Sequence, residues 1–147
     1  MSNSGFELGL DDPANAGVFA VTDGDLPALA AAARDVGLRI CRVDLEGCHD
    51  KRTLLARLAA QLDFPAGFGG NWDALSDNLT DLSWLPADGY ALLFSDADDF
   101  YHAAMADFST LLDILEDASR AWAEHGVPFW AFLEMDDVEH DPSAGNA

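Results

Sequence analysis

Three aspartates recur at four-residue steps in one short part of this sequence, where they could engage a cationic group. Asp73, Asp77 and Asp81 all lie within residues 65–84, a segment that carries no Lys or Arg. A four-residue step places side chains on one face of an α-helix, with Thr80 beside the row. Carboxylates accept strong hydrogen bonds from cationic donors. An exposed row of this kind would therefore suit a positively charged partner.

The same segment contains what is needed to hold such a helix in place. Asn71 is a favourable N-cap, because its side-chain oxygen can accept a hydrogen bond from a free amide of the first turn. The apolar residues that follow recur at helical spacing and predict a buried stripe on the opposite face: Trp72, Leu75, Leu79 and Leu82. Residues 65–70, rich in glycine, predict a flexible loop before the helix.

The acidic row is not explained by helix stability. Like charges four residues apart destabilise a helix by about 0.2–0.5 kcal/mol per pair. Asp73 lies in the first turn, where the helix dipole favours it, whereas Asp81 lies near the predicted C-terminal end, where the dipole does not. The row is therefore either a surface for a cationic partner or the solvated face of an ordinary acidic helix.

Composition limits the possible partners. The chain has 147 residues, 27 acidic against 7 basic side chains, and a formal net charge of −20. A single domain of this size can bury a core without disulfides or metal. Its field repels nucleic acid and anionic membranes and attracts basic proteins. Solubility or adaptation to salt would also explain the charge. We expect no nucleic-acid or membrane partner, and a monomer in the free state.

The sequence predicts neither a metal site nor a cofactor. Cys41 and Cys48 are the only cysteines, and His49 beside Cys48 does not complete a four-ligand zinc site. The first residues lack the basic and apolar regions of a signal peptide, and no apolar run is long enough to span a membrane. We therefore expect a cytoplasmic protein.

The order of apolar segments predicts an α/β fold with a parallel sheet, since strands alternate with helices. Predicted strands cover residues 17–21, 38–45, 90–94 and 129–133. The first and last are predicted to be buried, the strand at 38–45 to be at least half buried, and the strand at 90–94 is a compact apolar run. Predicted helices cover 26–36, 50–62, 96–105 and 107–125, in addition to the acidic helix. We expect one domain over residues 17–135, a loose arm over 1–16 and a disordered acidic tail over 136–147.

An enzymatic function is the weaker interpretation. Asp96 and Asp98 follow the strand at 90–94, as in the Asp-x-Asp opening of aspartyl phosphotransferases. Asp136 and Asp137, after the last predicted strand, could form the second acidic pair of that family. The chemistry needs an ammonium group beside the acids, but Lys51, the only lysine, precedes both acidic sites, whereas the family order places it between them. Asp96, Asp98 and Asp99 are better explained as the N-cap and first-turn acids of the next helix. No nucleophile motif surrounds either cysteine.

Residues 65–80 carry a family resemblance, most clearly at Gly69, Asn71, residues 73–75, Asp77 and residues 79–80. This pattern resembles the signature of barstar, a bacterial ribonuclease inhibitor, and the resemblance extends over residues 38–134. It implies a barstar-like fold with three core strands. Residues 17–37 would add one strand and one helix, and we expect this extension to cover an edge of the sheet.

The resemblance also implies a function. In the family, the loop and the acidic helix face block the active site of a small basic ribonuclease, so Asp77 would be the main anchor. The implied partner-binding residues are Gly67, Phe68, Gly69, Gly70, Asn71, Asp73, Ser76, Asp77, Thr80 and Asp81. The partner would be a basic ribonuclease or RNase-like toxin. The alternative is a regulatory module on the same scaffold that binds another cationic protein. The family prototype has aromatic side chains at positions 67 and 76, where this chain has Gly67 and Ser76.

Overall fold

The computed structural model describes residues 9–22 and 24–135. A short 3-10 turn at Pro13–Asn15 precedes the first strand. The strands are β1 (Val18–Val21), β2 (Arg39–Asp44), β3 (Tyr90–Ser95) and β4 (Phe129–Glu134). The helices are α1 (Asp25–Asp35), α2 (Lys51–Gln61), α3 (Trp72–Leu79), α4 (Asp98–Ala103) and α5 (Met105–Ala123). No helix within these residues is long and apolar enough to cross a membrane.

The four strands form one parallel sheet in the order β1-β4-β3-β2. Tyr90 of β3 lies opposite Arg39 on one side and opposite Phe129 on the other. The central strands β3 and β4 are almost continuous apolar runs, as expected for strands covered on both faces. The predicted α/β fold with three core strands and one added strand is confirmed.

Helices cover both faces of this sheet. Helices α2, α3 and α5 pack on one face around residues such as Leu92 and Phe94 of β3. Helix α1 packs on the other face, where its alanines meet a second apolar cluster: Ala91, Leu93, Trp130 and Phe132. Strand β1 thus belongs to the sheet, whereas helix α1 forms a third layer, on the side of the sheet opposite to α3.

Strand β1 differs from its prediction as a buried strand. It pairs only with β4 and is the outer strand on that side of the sheet. Phe19 is 44% exposed, and its ring lies 5.7 Å from that of Trp130 and 6.0 Å from that of Phe132. The extension does cover the edge of β4, and β1 itself becomes the new edge.

The prediction of a loose arm over residues 1–16 is wrong for residues 9–16. Leu10 is buried, and its carbonyl accepts a hydrogen bond of 2.9 Å from Nε1 of Trp130. The segment is held because it supplies apolar surface to the cluster under α1 and a partner for a buried indole N–H. The remainder of the predicted arm, 1–8, and the predicted acidic tail, 136–147, lie outside the described residues.

Helix α4 begins two residues later than predicted. Its N-cap is Ala97, and Asp96 adopts a left-handed conformation with φ +54° instead of capping the helix. Asp98 and Asp99 do lie in the first turn, where the helix dipole favours acids. A carboxylate oxygen of Asp99 accepts a hydrogen bond of 2.7 Å from the backbone amide of Gly47.

Candidate partner-binding surface

Helix α3 starts where the sequence predicts. The side-chain oxygen Oδ1 of Asn71 accepts a hydrogen bond of 2.7 Å from the backbone amide of Ala74. This bond satisfies one of the free amides of the first turn and defines the point at which the loop becomes helix. Asn71 is itself exposed, so the cap lies at the surface.

The opposite side of α3 fixes it on the body of the protein. Leu75 and Leu79 are fully buried, and Trp72 is half-buried beside them. At the far end, Nε1 of Trp122 in α5 donates a hydrogen bond of 2.8 Å to the carbonyl of Leu79. That bond satisfies one of the last carbonyls of the helix. Apolar contacts and a terminal hydrogen bond thus hold this eight-residue helix in one orientation.

The helix is shorter than the sequence pattern suggests. It ends at Leu79 with Thr80 as C-cap, and the Thr80 hydroxyl donates back to the carbonyl of Ser76 at 2.9 Å. Leu82 is buried as predicted, but it lies after the helix and adopts a left-handed conformation with φ +49°. Asp81 therefore lies beyond the helix, and the regular acidic row consists of Asp73 and Asp77.

The two helical carboxylates point into solvent. Asp73 and Asp77 are exposed, and neither carboxylate forms a hydrogen bond or salt bridge with any residue in the described part of the chain. Neither carboxylate therefore holds the fold together through a hydrogen bond or ion pair, although Asp73 lies in the first turn, where the helix dipole favours it. Of the other predicted contact residues, Thr80 and Asp81 are also exposed, whereas Ser76 is half-buried between the two aspartates along the chain.

The glycine loop before α3 is anchored by aromatic packing, in contrast to the flexible loop predicted. Phe68 is half-buried and its ring packs edge-on against Phe64 at 4.9 Å, while Phe64 packs against Trp84 at 5.9 Å. Gly67 and Gly70 have φ of +95° and +69°, a region that only glycine adopts freely. Their exposed backbone is thus presented in a fixed shape.

A depression of about 180 Å³ separates the loop from the helix. Residues 65–69 form one wall, and Ala74, Asp77 and Asn78 form the other. Gly69 is also exposed, so backbone groups as well as the Asp77 carboxylate border the opening. The surface can accept a cationic side chain, with a carboxylate on one side and peptide groups on the other.

A separate acidic cluster, which the sequence does not predict, lies at the ends of strands β2 and β3. Carboxylate oxygens of Asp44, Glu46 and Asp96 lie within 4.8 Å of one another, the only such group of potential metal ligands among the described residues. They come from the ends of two neighbouring parallel strands, and that pairing is what brings them together. All three are exposed, and Asp44 already accepts a hydrogen bond of 2.9 Å from the amide of Glu46.

The cysteines offer no nucleophile. Both are free and buried. Burial raises the pKa of the Cys41 thiol to about 11, and burial also raises the pKa of Cys48. At neutral pH both therefore remain protonated thiols, which are unreactive compared with thiolates.

The surface formed by the loop and α3 lies within the part of the chain that a family model matches. Residues 38–134 match the family described as Barstar (barnase inhibitor). The chain belongs to the barstar family. The matched region contains strands β2 to β4 and helices α2 to α5, whereas β1 and α1 precede it. No curated protein shows significant sequence similarity to the chain.

A solved structure shows the same general arrangement of helices and strands. It is the ORC2 protein of Aeropyrum pernix, in ADPNP–ADP complexes, with a TM-score of 0.52 and 14% sequence identity. The match covers 87% of this chain but only 38% of that one. At this identity the likeness concerns the fold alone.

Proposed function

We propose that this barstar-family chain inhibits a basic ribonuclease or RNase-like toxin by placing Asp77, Asp73 and the loop over its active site. The observation that carries the proposal is the state of the two carboxylates. They are exposed and unpaired within the described chain, yet they lie on a helix fixed by buried leucines and by Trp122. A fixed helix loses little conformational entropy on binding, which favours tight association.

The chemistry of a ribonuclease suits this surface. Its active site must hold the phosphate of RNA with cationic side chains, and a carboxylate can take the place of that phosphate through charge-assisted hydrogen bonds. Asp77, which borders the depression beside the loop, is the proposed anchor, and Asp73 is a second acidic contact. Asn71, residues 67–70, Ser76, Thr80 and Asp81 would complete the contact area.

The proposal is tested by inhibition kinetics with purified barnase and a fluorogenic RNA substrate. We expect the onset of inhibition to slow as the RNA concentration rises when chain and RNA are added together, because they would compete for one site. We also expect inhibition to weaken with added salt, since charge pairs and steering contribute to the complex. Full activity of barnase in the presence of excess chain would contradict the proposal, and so would an onset of inhibition that does not depend on the RNA concentration.

A second candidate is a regulatory module that binds a different cationic protein through the same surface. Two observations favour it: Gly67 leaves the loop without a side chain at a position that is open to solvent, and Ser76 is small. The partner would then have another shape. Binding of a basic protein that is not a ribonuclease, lost in Asp77→Ala, would support this candidate.

We propose a protein that acts by binding and not by catalysis, without a cofactor, and as a monomer until it meets its partner. We place it in the cytoplasm, where free thiols such as Cys41 and Cys48 remain reduced.

A further inference from the structure

The loop has a second depression on its other side, with the opposite charge. This groove has a volume of about 480 Å³ and is lined by Lys51, Arg52, Leu55, Ala56, Phe68 and Gly70. Phe68 borders both this groove and the smaller depression beside Asp77. The loop is therefore a ridge with a carboxylate on one side and two cationic side chains on the other.

The two cations have no acidic side chain as an ion-pair partner among residues 9–22 and 24–135. The chain has 7 basic side chains against 27 acidic ones, and Lys51 is its only lysine. Neither Lys51 nor Arg52 forms a salt bridge or hydrogen bond with a residue that the structure describes. The nearby acid, Asp50, caps α2 by accepting the amide of Thr53 at 2.8 Å.

Their position is also unfavourable for the helix that carries them. Lys51 and Arg52 are the first two residues of α2, where the helix dipole disfavours positive charge. Lys51 is held in place instead by the ring of Trp72, since its Nζ lies 5.3 Å from the ring centroid. That contact joins the cation to the first residue of α3, next to the loop.

We propose that this groove receives an acidic loop of the same partner that binds Asp77, a proposal that rests on the function proposed above. A carboxylate of the partner would face Lys51 and Arg52, and an apolar side chain beside it would pack on Leu55 and Phe68. Leu55 is only 2% exposed, and it provides an apolar floor beneath the charged rim. The binding site of the partner is thus a cationic pocket flanked by an acidic residue. Contacts of opposite charge on the two sides of the loop then fix the orientation of the partner.

Charge reversal distinguishes a direct contact in the groove from long-range electrostatic attraction, because the two predict opposite changes in binding. A more negative chain attracts a basic partner more strongly at long range. The variant Lys51→Glu with Arg52→Glu should therefore bind a basic ribonuclease faster if the groove is not in contact. If the groove holds a carboxylate of the partner, the same variant places like charges together and binds more weakly.

The experiment measures the dissociation constant for catalytically inactive barnase by surface plasmon resonance. The matched control is Arg34→Glu with Arg42→Glu, which changes the net charge equally at exposed positions on the α1 side of the sheet. Circular dichroism and urea unfolding establish that both double variants are folded. We expect Kd for the Lys51/Arg52 variant to be about tenfold larger than for the control.

A Kd for the Lys51/Arg52 variant that is equal to or smaller than that of the control overturns the inference. Asp77→Ala, measured in parallel, reports on the proposed function separately. If Asp77→Ala abolishes binding while the Lys51/Arg52 variant behaves like its control, the function stands and the groove does not contact the partner. If the wild-type chain does not bind barnase, the proposed function fails, and this inference fails with it.

Discussion

Replacing Asp77 by Ala should stabilise the free protein and weaken its complex. In the free protein, the carboxylate has no partner among the described residues, so the substitution removes no favourable contact. Ala is a better helix former than Asp by about 0.5 kcal/mol. Removing the repulsion from Asp73, four residues earlier in the same helix, adds about 0.2–0.5 kcal/mol. We therefore expect the free energy of unfolding to rise by about 1 kcal/mol.

In the complex, the same change removes the proposed central anchor. Truncating a charged residue at the centre of an interface costs about 2 kcal/mol or more of binding free energy. An aspartate of barstar itself is among the largest examples. A loss of about 2 kcal/mol corresponds to a roughly 30-fold larger Kd. The substitution is thus expected to stabilise the free protein and to weaken the complex, as expected for a residue that serves binding and not folding.

Urea unfolding gives the first quantity, and titration calorimetry with inactive barnase gives the second. Asp113→Ala is the control, because Asp113 is an exposed residue of α5 and its loss changes the net charge equally. We expect the control to gain stability and to leave Kd almost unchanged. Two outcomes would contradict this prediction: a lower free energy of unfolding for Asp77→Ala, or an equal loss of affinity in both variants.

Substitutions at three further sites test the helix caps and the packing of the fold. Asn71→Ala removes the 2.7 Å cap to the Ala74 amide and should lower the free energy of unfolding by about 1 kcal/mol in urea, whereas Asn71→Ser should retain most of it. Gly89→Ala places a Cβ 2.8 Å from Cγ of Pro128 and against Cδ2 of Leu38, so it should lower the melting temperature, at a cost of about 1–3 kcal/mol in the free energy of unfolding; an unchanged melting temperature would show that Pro128 and Leu38 move aside. The hydrogen bond from a first-turn amide lowers the pKa of Asp50, so its contribution to stability is present above the ordinary carboxyl pKa and is lost as pH falls through the lowered value; Asp50→Asn should flatten this part of the acid unfolding curve.

Features set by neighbouring residues were predictable from the sequence. The caps at Asn71 and Asp50 formed as expected, because a cap requires only a polar side chain and amides two or three residues later. The spacing of Asp73 and Asp77 predicted the exposed face of α3, and the spacing of the leucines predicted its buried face. Strands β3 and β4 were predictable because strands that are buried on both faces are continuous apolar runs.

Features set by distant residues were not predictable. Whether an apolar strand lies at the centre or the edge depends on sheet order, so β1 could not be recognised as an edge strand. The helical spacing of apolar residues continues to Leu82, although the chain leaves the helix three residues earlier, at Leu79. No glycine marks that turn. The groove beside Lys51 joins α2 to the loop, two segments whose contact the sequence alone does not reveal.

The layered arrangement divides the protein into two parts that can change separately. Helix α1 and strand β1 precede the family region, and α1 lies across the sheet from the loop and α3. Substitutions far apart and without shared contacts have additive effects on free energy. Mutations that alter folding stability in the α1 layer can thus accumulate without changing affinity, while the loop adapts to a new partner. A lineage that loses stability while changing its binding residues could regain it on the far side of the sheet.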